Sequence, residues 1–471
     1  MSVSHNLLYF YSNNDIQQID DNLDTIEIEA NKLGFKILEP DNSEYQIVRD
    51  LIIEFIKDQG RIVYGGSAYH KIIQHYRNDK NSDNTIYPEW ERYDVEFYSP
   101  NPIRDLVIIC NKLQEIGIKY VMGRQAQHDE TFTVFANFLQ YCDISFMPKK
   151  IFDNINFLEI DGIKYIHPEI ILIDIFRMYN DPLTSYWRLK KVFKRMKLLL
   201  QKYPFDFNNV EIKNILVPNY DNQKIINFIV PQLIEQFDKF IFVGELAYLV
   251  YTNPDNTFNT NENLSQIEII SDNINKISKI ITNLTYKWAH DNNKLDNYHD
   301  LFHIKYFSRF FQFWDKRIVI YFMNKPIFTI LGTNGRCIPF IKSNILLSNK
   351  NIEIKVGTYL VTFNYYFIAF YYESIMKLGF YYADRYFINS LLKVRNDYLQ
   401  KNNKTVLDST IYKEFVIACV GSTKEFSREF MLRMAEKRAN GQKTLMTYDP
   451  NFNKGSFLEY DFDQSDGLEL L

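Results

Sequence analysis

The chain has 471 residues, 46% of them hydrophobic, and a formal charge of −4. That length accommodates two or three domains with a sizeable core, and the near-balanced charge excludes a global basic field as the means of meeting nucleic acid. No run approaches the ~18 apolar residues of a membrane-spanning helix, and the polar N-terminus lacks a leader pattern. The four cysteines (Cys110, Cys142, Cys337, Cys419) are scattered without a CxxC pair. That spacing fits a reducing, intracellular setting and argues against a disulfide framework and against cysteine-held zinc.

In chain order, residues 1–42 are a polar lead-in with an amphipathic helix near Ile16–Leu33. Asn42-Ser43 caps a helix over Glu44–Lys57, with Ile47, Leu51, Ile52, Phe55 and Ile56 on one stripe and Gly60 as its stop. A short apolar strand, Arg61 to Tyr64, turns through Gly65-Gly66-Ser67-Ala68 into a helix. Asn78–Pro88 is a polar loop, and Tyr93-Asp94-Val95-Glu96-Phe97-Tyr98 reads as the next strand. A helix over Ile103–Ile116 follows, then strands at Tyr120–Met122, Thr131–Phe135 and Leu139–Phe146. Asp161-Gly162 marks a hairpin turn, and Pro168–Tyr179 a helix with proline near its start. After Asp181-Pro182 comes a basic helix with Arg188, Lys190, Lys191, Lys194, Arg195 and Lys197.

The next segment repeats the first. Phe240 to Tyr248 matches Arg61 to Tyr69, with Gly244 standing 179 residues after Gly65. Gln266 to Ser271 matches Asp94 to Ser99 at an offset of 172, and Val319 to Phe328 matches Asp143 to Phe152 at 176. Three anchors in one order suggest an internal duplication; the other reading is two α/β units sharing apolar strands by composition alone. Beyond 336 the pattern is aromatic and helical, with a basic segment around Arg428 to Lys443 and an acidic, loose tail from Glu459.

Chemistry concentrates between Arg61 and Asp143. Two glycines let the backbone approach a phosphate closely, the helix start offers free N–H groups, and Ser67 adds a hydroxyl. Asp94 and Glu96, two apart, share a strand face, and Asp143 sits on a later strand that can lie alongside. Alone, a D-x-E pair is an ordinary solvated face and a Gly-Gly-Ser turn an ordinary connection. Together with a strand aspartate they outline a carboxylate site for hard cations such as Mg²⁺ beside a phosphate cradle. The basic helix can neutralise a triphosphate or follow an RNA backbone, although a solvated face is equally compatible. A P-loop and an HExxH motif are both lacking, and His70 reads as a helix-surface residue.

Gly65-Gly66-Ser67, the Asp94-Val95-Glu96 strand and Asp143 resemble the polymerase β-type nucleotidyltransferases. Within that superfamily the layout resembles the poly(A) polymerase catalytic subunits of poxviruses and giant, mimivirus-like viruses; the motifs are sharp over about 60–200. The resemblance implies an α/β (α+β) fold of two tandem nucleotidyltransferase-like mixed-sheet units, the second degenerate, with helical additions. Domains are expected at 1–42, 43–204, 205–335 and 336–471. It also implies a template-independent polymerase that adds AMP from ATP to mRNA 3′ ends by two-metal transfer with Mg²⁺ or Mn²⁺. Asp94, Glu96 and Asp143 would be the catalytic metal ligands. Gly65, Gly66, Ser67, Arg188, Lys190 and Lys191 would hold the triphosphate. The family commonly has Asp-x-Asp, so Glu96 is a departure.

In the second copy, Glu245, Gln266 and Val319 stand in place of Gly66, Asp94 and Asp143, which implies no catalysis there. Expected partners are an mRNA 3′ end or oligo(A) primer, with either a second copy of the chain or a processivity subunit, and no membrane. The expected place is a viral factory in host cytoplasm, with packaging in the virion. The alternatives are a CCA-adding or oligoadenylate-type enzyme, or a non-catalytic RNA-binding subunit on a decayed transferase fold.

Overall fold

The computed structural model describes residues 10–38, 41–75, 92–204, 220–254, 258–259, 264–347, 350–376, 385–423, 425–441, 446–452, 460 and 462–470. The expected Asn78–Pro88 loop therefore lies outside the described residues. Two mixed sheets form the body. The first contains β1 (Ile62–Tyr64), β2 (Val95–Ser99), β3 (Met122–Gln125), β4 (Thr131–Ala136), β5 (Leu139–Phe146), β6 (Phe157–Ile160) and β7 (Ile163–Ile166). The second contains β8 (Phe240–Val243), β9 (Phe258–Asn259), β10 (Ile267–Ser271), β11 (Phe302–Phe307), β12 (Arg317–Phe322), β13 (Lys325–Gly332), β14 (Ile338–Leu347), β15 (Lys350–Gly357) and β16 (Cys419–Val420). A last short strand, β17 (Thr447–Tyr448), returns to the edge of the first sheet beside β3.

The sheets repeat one wiring. The first runs β17-β3-β4-β5-β2-β1-β7-β6 and the second β11-β12-β13-β10-β8-β15-β14-β16, with β9 beside β14. In the first, β1 pairs antiparallel with β2 so that Tyr64 faces Glu96; in the second, β8 pairs antiparallel with β10 so that Val243 faces Glu268. Even the helix start after each strand recurs. Ser99 Oγ accepts the Asn101 N–H and the Asn101 side chain caps the Pro102–Glu115 helix. Ser271 and Asn273 do the same for the helix Ile274–Asp291.

Register corrects one anchor of the expected duplication. Strand β2 runs parallel to β5 with Glu96 beside Asp143, and β10 runs parallel to β13 with Glu268 beside Thr329. The counterpart of Asp143 is thus Thr329, an offset of 186 residues. Val319 lies opposite Thr329 on β12, as Thr133 lies opposite Asp143 on β4. Consecutive apolar strands look alike in sequence, so the match had slipped by one strand.

The segment after 336, expected to be helical, opens instead with the β14–β15 hairpin, and β15 pairs parallel with β8 as β7 pairs with β1. The aromatic helix Tyr359–Met376 then packs on Pro168–Tyr179 of the first unit. Phe176 meets the edges of Phe363 and Phe367, and the Tyr371 hydroxyl donates to Glu169. This joins both sheets into one apolar core. The acidic tail is docked rather than loose: Phe462 stacks on Phe146, and Lys305 pairs with Glu469. Cys337, just before β14, and Cys419 on β16 form a disulfide, against the reading of four scattered thiols; Cys110 and Cys142 are buried and free.

Candidate active site at the seam between the two sheets

The turn after β1 is fixed by chirality. Gly65 has φ +65°, and a Cβ there would run into the Glu96 carboxylate. Only glycine reaches that backbone region without steric cost and leaves room for the side chain opposite. With the space open, Glu96 Oε2 accepts the Gly66 N–H at 2.6 Å. The N–H that the sequence offered to a phosphate is thus held by the protein's own carboxylate. Ser67 turns inward as well, its Oγ 3.3 Å from the Tyr64 carbonyl and 3.4 Å from the Glu96 N–H. His70 is buried against Tyr93 rather than on the helix surface.

Asp94 immediately precedes β2, on the strand face that Glu96 shares two residues on, and parallel pairing sets Asp143 beside Glu96. Gln140 donates to Asp94 Oδ2 at 3.0 Å, and the Thr133 hydroxyl donates to Asp143 Oδ1 at 2.6 Å. Burial pushes the Glu96 carboxyl up to about 7, with Asp94 and Asp143 adding to the rise and the Gly66 N–H opposing it. Burial likewise lifts Asp143 to about 6, against the Thr133 hydroxyl, with Asp94 adding to the rise. Buried acids crowded in this way favour a cation, which suits a hard metal ion. Among the described residues, however, no group of three acidic, histidine or cysteine side chains is arranged to close around an ion. Glu96 commits only Oε2 to its glycine, so Asp94, Asp143 and the other oxygen of Glu96 are the donors that would suit a metal.

The second sheet explains that commitment. Gly244 also has a positive φ, +59°, and a Cβ there would run into Glu268. Glu268 Oε2 accepts the Glu245 N–H at 3.0 Å. The glycine–glutamate clasp is therefore common to both units, whereas Asp94 and Asp143 are replaced by Gln266 and Thr329. Glu245 itself points inward and accepts from the Ser265 and Gln266 N–H groups.

Asp94, Glu96 and Asp143 line a cleft of about 1030 Å³ whose opposite wall belongs to the second unit. Arg177 and Arg188 enter from the first unit, Arg309 and Arg336 from loops of the second, and Arg433 from the C-terminal helix Phe426–Ala439. Arg177 donates to the Gln312 carbonyl, and Gln312 donates to the Tyr98 hydroxyl, so polar contacts cross the seam. Burial, with Arg177 close by, draws Arg336 down to about 9. Planar guanidiniums in such a place suit phosphate oxygens.

Of the expected basic residues, Arg188 lines the cleft, while Lys190 and Lys191 are exposed outside its lining. Gly65, Gly66 and Ser67 sit behind Glu96 and are not part of the lining either. Sequence reasoning missed Arg177, Arg309, Arg336 and Arg433. The first three are lone basic residues in a helix or loop, Arg433 belongs to the basic segment around Arg428 to Lys443, and only the packing of the second unit on the first collects them.

Comparison with known proteins gives the family. Residues 50–185 match the family model "Poly(A) polymerase catalytic subunit", and residues 205–467 match "APMV, Putative poly(A) polymerase, catalytic subunit, C-terminal". A protein of Acanthamoeba polyphaga mimivirus described as "Putative poly(A) polymerase catalytic subunit" is 33% identical over 470 residues, covering 94% of this chain and 78% of that one. Proteins of African swine fever virus with the same description include one that is 34% identical over 172 residues, 35% of each chain. The crystal structure of the Megavirus polyadenylate synthase superposes with a TM-score of 0.86 at 29% identity, covering 99% of this chain and 94% of that one. The chain belongs to the family of viral poly(A) polymerase catalytic subunits, which are nucleotidyltransferases.

Proposed function

We propose that the chain extends the 3′ end of mRNA without a template, adding AMP from ATP and releasing pyrophosphate. The observation that carries this reading is the parallel β2–β5 register, which puts Asp143 beside the D-x-E strand on the floor of an arginine-lined cleft. Asp94 and Asp143, with Glu96 through its Oε1, are the residues that would hold Mg²⁺ or Mn²⁺. When bound, such a cation supplies a lowered pKa for the attacking 3′-hydroxyl and charge neutralisation for the leaving pyrophosphate. Glu96 Oε2 sets the Gly65-Gly66 turn, which leaves its other oxygen for the ion without loss of the Gly66 N–H. Arg188, Arg177 and Arg336 bind and orient the triphosphate from both walls, so the chemistry rests on positioning and charge complementarity. The second unit is a degenerate copy without chemistry of its own, kept for the wall it supplies. Either a second copy of the chain or a separate processivity subunit completes the working assembly in the viral factory, and the enzyme is packaged in the virion.

The test is incorporation from each NTP separately into an oligo(A) primer with Mg²⁺ or Mn²⁺. Homopolymeric A tails are expected from wild type, with no incorporation above background for Asp94→Ala and Asp143→Ala, and an unchanged rate for Gln266→Ala. Products that stop at CCA point to the tRNA-end class. If both aspartate variants match wild type, the assignment of the site is wrong.

A further inference from the structure

We propose that the outer face of the segment Tyr186–Lys197 is a binding track for the single-stranded RNA primer, outside the triphosphate site. This rests on the polymerase reading above. The helix Leu189–Lys202 buries Val192, Leu198 and Leu199 against the fold. The opposite side presents Tyr186, Trp187, Lys190, Phe193, Lys194 and Lys197, all exposed. Their spacing of three or four residues makes them one continuous face.

Two features of this face point to a ligand. Tyr186 is 69% exposed, Trp187 60% and Phe193 52%, and the three are grouped on one face rather than scattered. They also alternate with lysines rather than forming an apolar stripe. Aromatic faces that stack bases, interleaved with cations that follow phosphates, make a sequence-tolerant single-strand platform. Trp187 is already oriented, since its Nε1 donates to the Thr184 carbonyl at 3.1 Å and Arg188 lies over its ring. The face spans about 15 Å from Trp187 to Lys197 at helical rise.

Direction comes from Arg188. It sits over the Trp187 ring, 4.4 Å from its centroid, and lines the cleft that holds Asp94, Glu96 and Asp143. The aromatic end of the track therefore opens into the reaction site, where the 3′-hydroxyl must arrive. Lys190, which the sequence suggested for the triphosphate, belongs to the RNA face. A basic amphipathic helix can also lie on an anionic membrane. Here the apolar side of the helix is spent in the core, and its head leads to the active cleft, which favours RNA.

The test uses the full-length protein with a fluorescent oligo(A) primer and, separately, phosphatidylserine-containing vesicles. Trp187→Ala with Phe193→Ala should weaken primer binding about tenfold or more through lost stacking. Lys190→Gln, Lys194→Gln and Lys197→Gln together should flatten the slope of log K against log salt by about 2. In both variants KM for primer should rise, and in the lysine variant, which keeps the Trp187–Arg188 contact, KM for ATP should stay at the wild-type value. Two results overturn the proposal: wild-type primer affinity and salt slope in both variants, or loss of vesicle binding with primer binding intact. A rise in KM for ATP in the lysine variant also overturns it, returning Lys190 to the triphosphate. If wild type adds no adenylate yet the variants lose primer binding, the polymerase reading fails and the track stands.

Discussion

Replacing Gly65 by alanine tests the clasp behind the active site. The residue sits at φ +65°, and the new methyl would occupy the space of the Glu96 carboxylate. An L-residue in that backbone region costs about 1–2 kcal/mol. Pushing Glu96 off the Gly66 N–H, now 2.6 Å away, removes a charge-assisted bond of about 1.5–3 kcal/mol. The sum is a loss of about 2.5–5 kcal/mol, read from urea unfolding by circular dichroism. Gly244→Ala should cost a similar amount, because Gly244 has φ +59° and its Cβ would meet Glu268. The two variants should part in a primer-extension assay below their unfolding midpoints. Gly65→Ala should lose adenylate transfer because β2 and its carboxylates move, whereas Gly244→Ala should keep the chemical step. A Gly65→Ala protein within about 0.5 kcal/mol of wild type, the range of a bland surface change, would refute the clasp. Loss of the chemical step in folded Gly244→Ala would refute a purely architectural second unit.

Without divalent cations the protein should become less stable as pH rises from about 4.5 towards 7. Burial raises Glu96 and Glu245 to about 7 and Asp143 to about 6, and lifts Glu268 further, so the folded state holds protons that the unfolded chain releases. Melting temperatures measured in chelator across that range check the sign, and Glu268→Gln should lessen the decline. Asp105→Ala should cost about 3–5 kcal/mol by stranding Arg61, which now donates to both Asp105 oxygens at 2.6 and 2.9 Å; the readout is the urea midpoint. Alkylation of the unfolded, unreduced protein should trap only Cys110 and Cys142. Cys337→Ser should lower stability by about 4 kcal/mol, since the bond closes a loop between residues 82 apart; full alkylation of all four cysteines before reduction would remove the disulfide from the account.

The strand that carries Asp94 and Glu96 was legible because its signal is local. A turn that needs two glycines, and carboxylates two apart on a strand, follow from backbone geometry within a few residues. The helix Pro168–Tyr179 and the Asp161-Gly162 hairpin were legible for the same reason and appear with those bounds. Strand identity in the repeat was not legible. The runs at β12 and β13 are both short and apolar, and only pairing showed that Thr329, not Val319, stands beside Glu268. The β14–β15 hairpin was hidden by the aromatic richness of the helix Tyr359–Met376 directly after it. The tail read as loose from its acids, yet Tyr460 and Phe462 anchor it on Phe132 and Phe146.

By itself the sequence determined the carboxylates, the glycine turn, the doubled unit and the kind of chemistry, because each depends on residue type at short spacing. Tertiary structure alone decided what Glu96 does and who forms the opposite wall. The sequence offered Glu96 as one of three ligands, a departure from Asp-x-Asp. The fold places its Oε2 on the Gly66 N–H, and repeats the contact at Glu268, where Gln266 and Thr329 stand in place of Asp94 and Asp143. A hydrogen bond between residues 30 apart, and a cleft whose arginines come from both units, arise from strand pairing and packing, which no local pattern encodes.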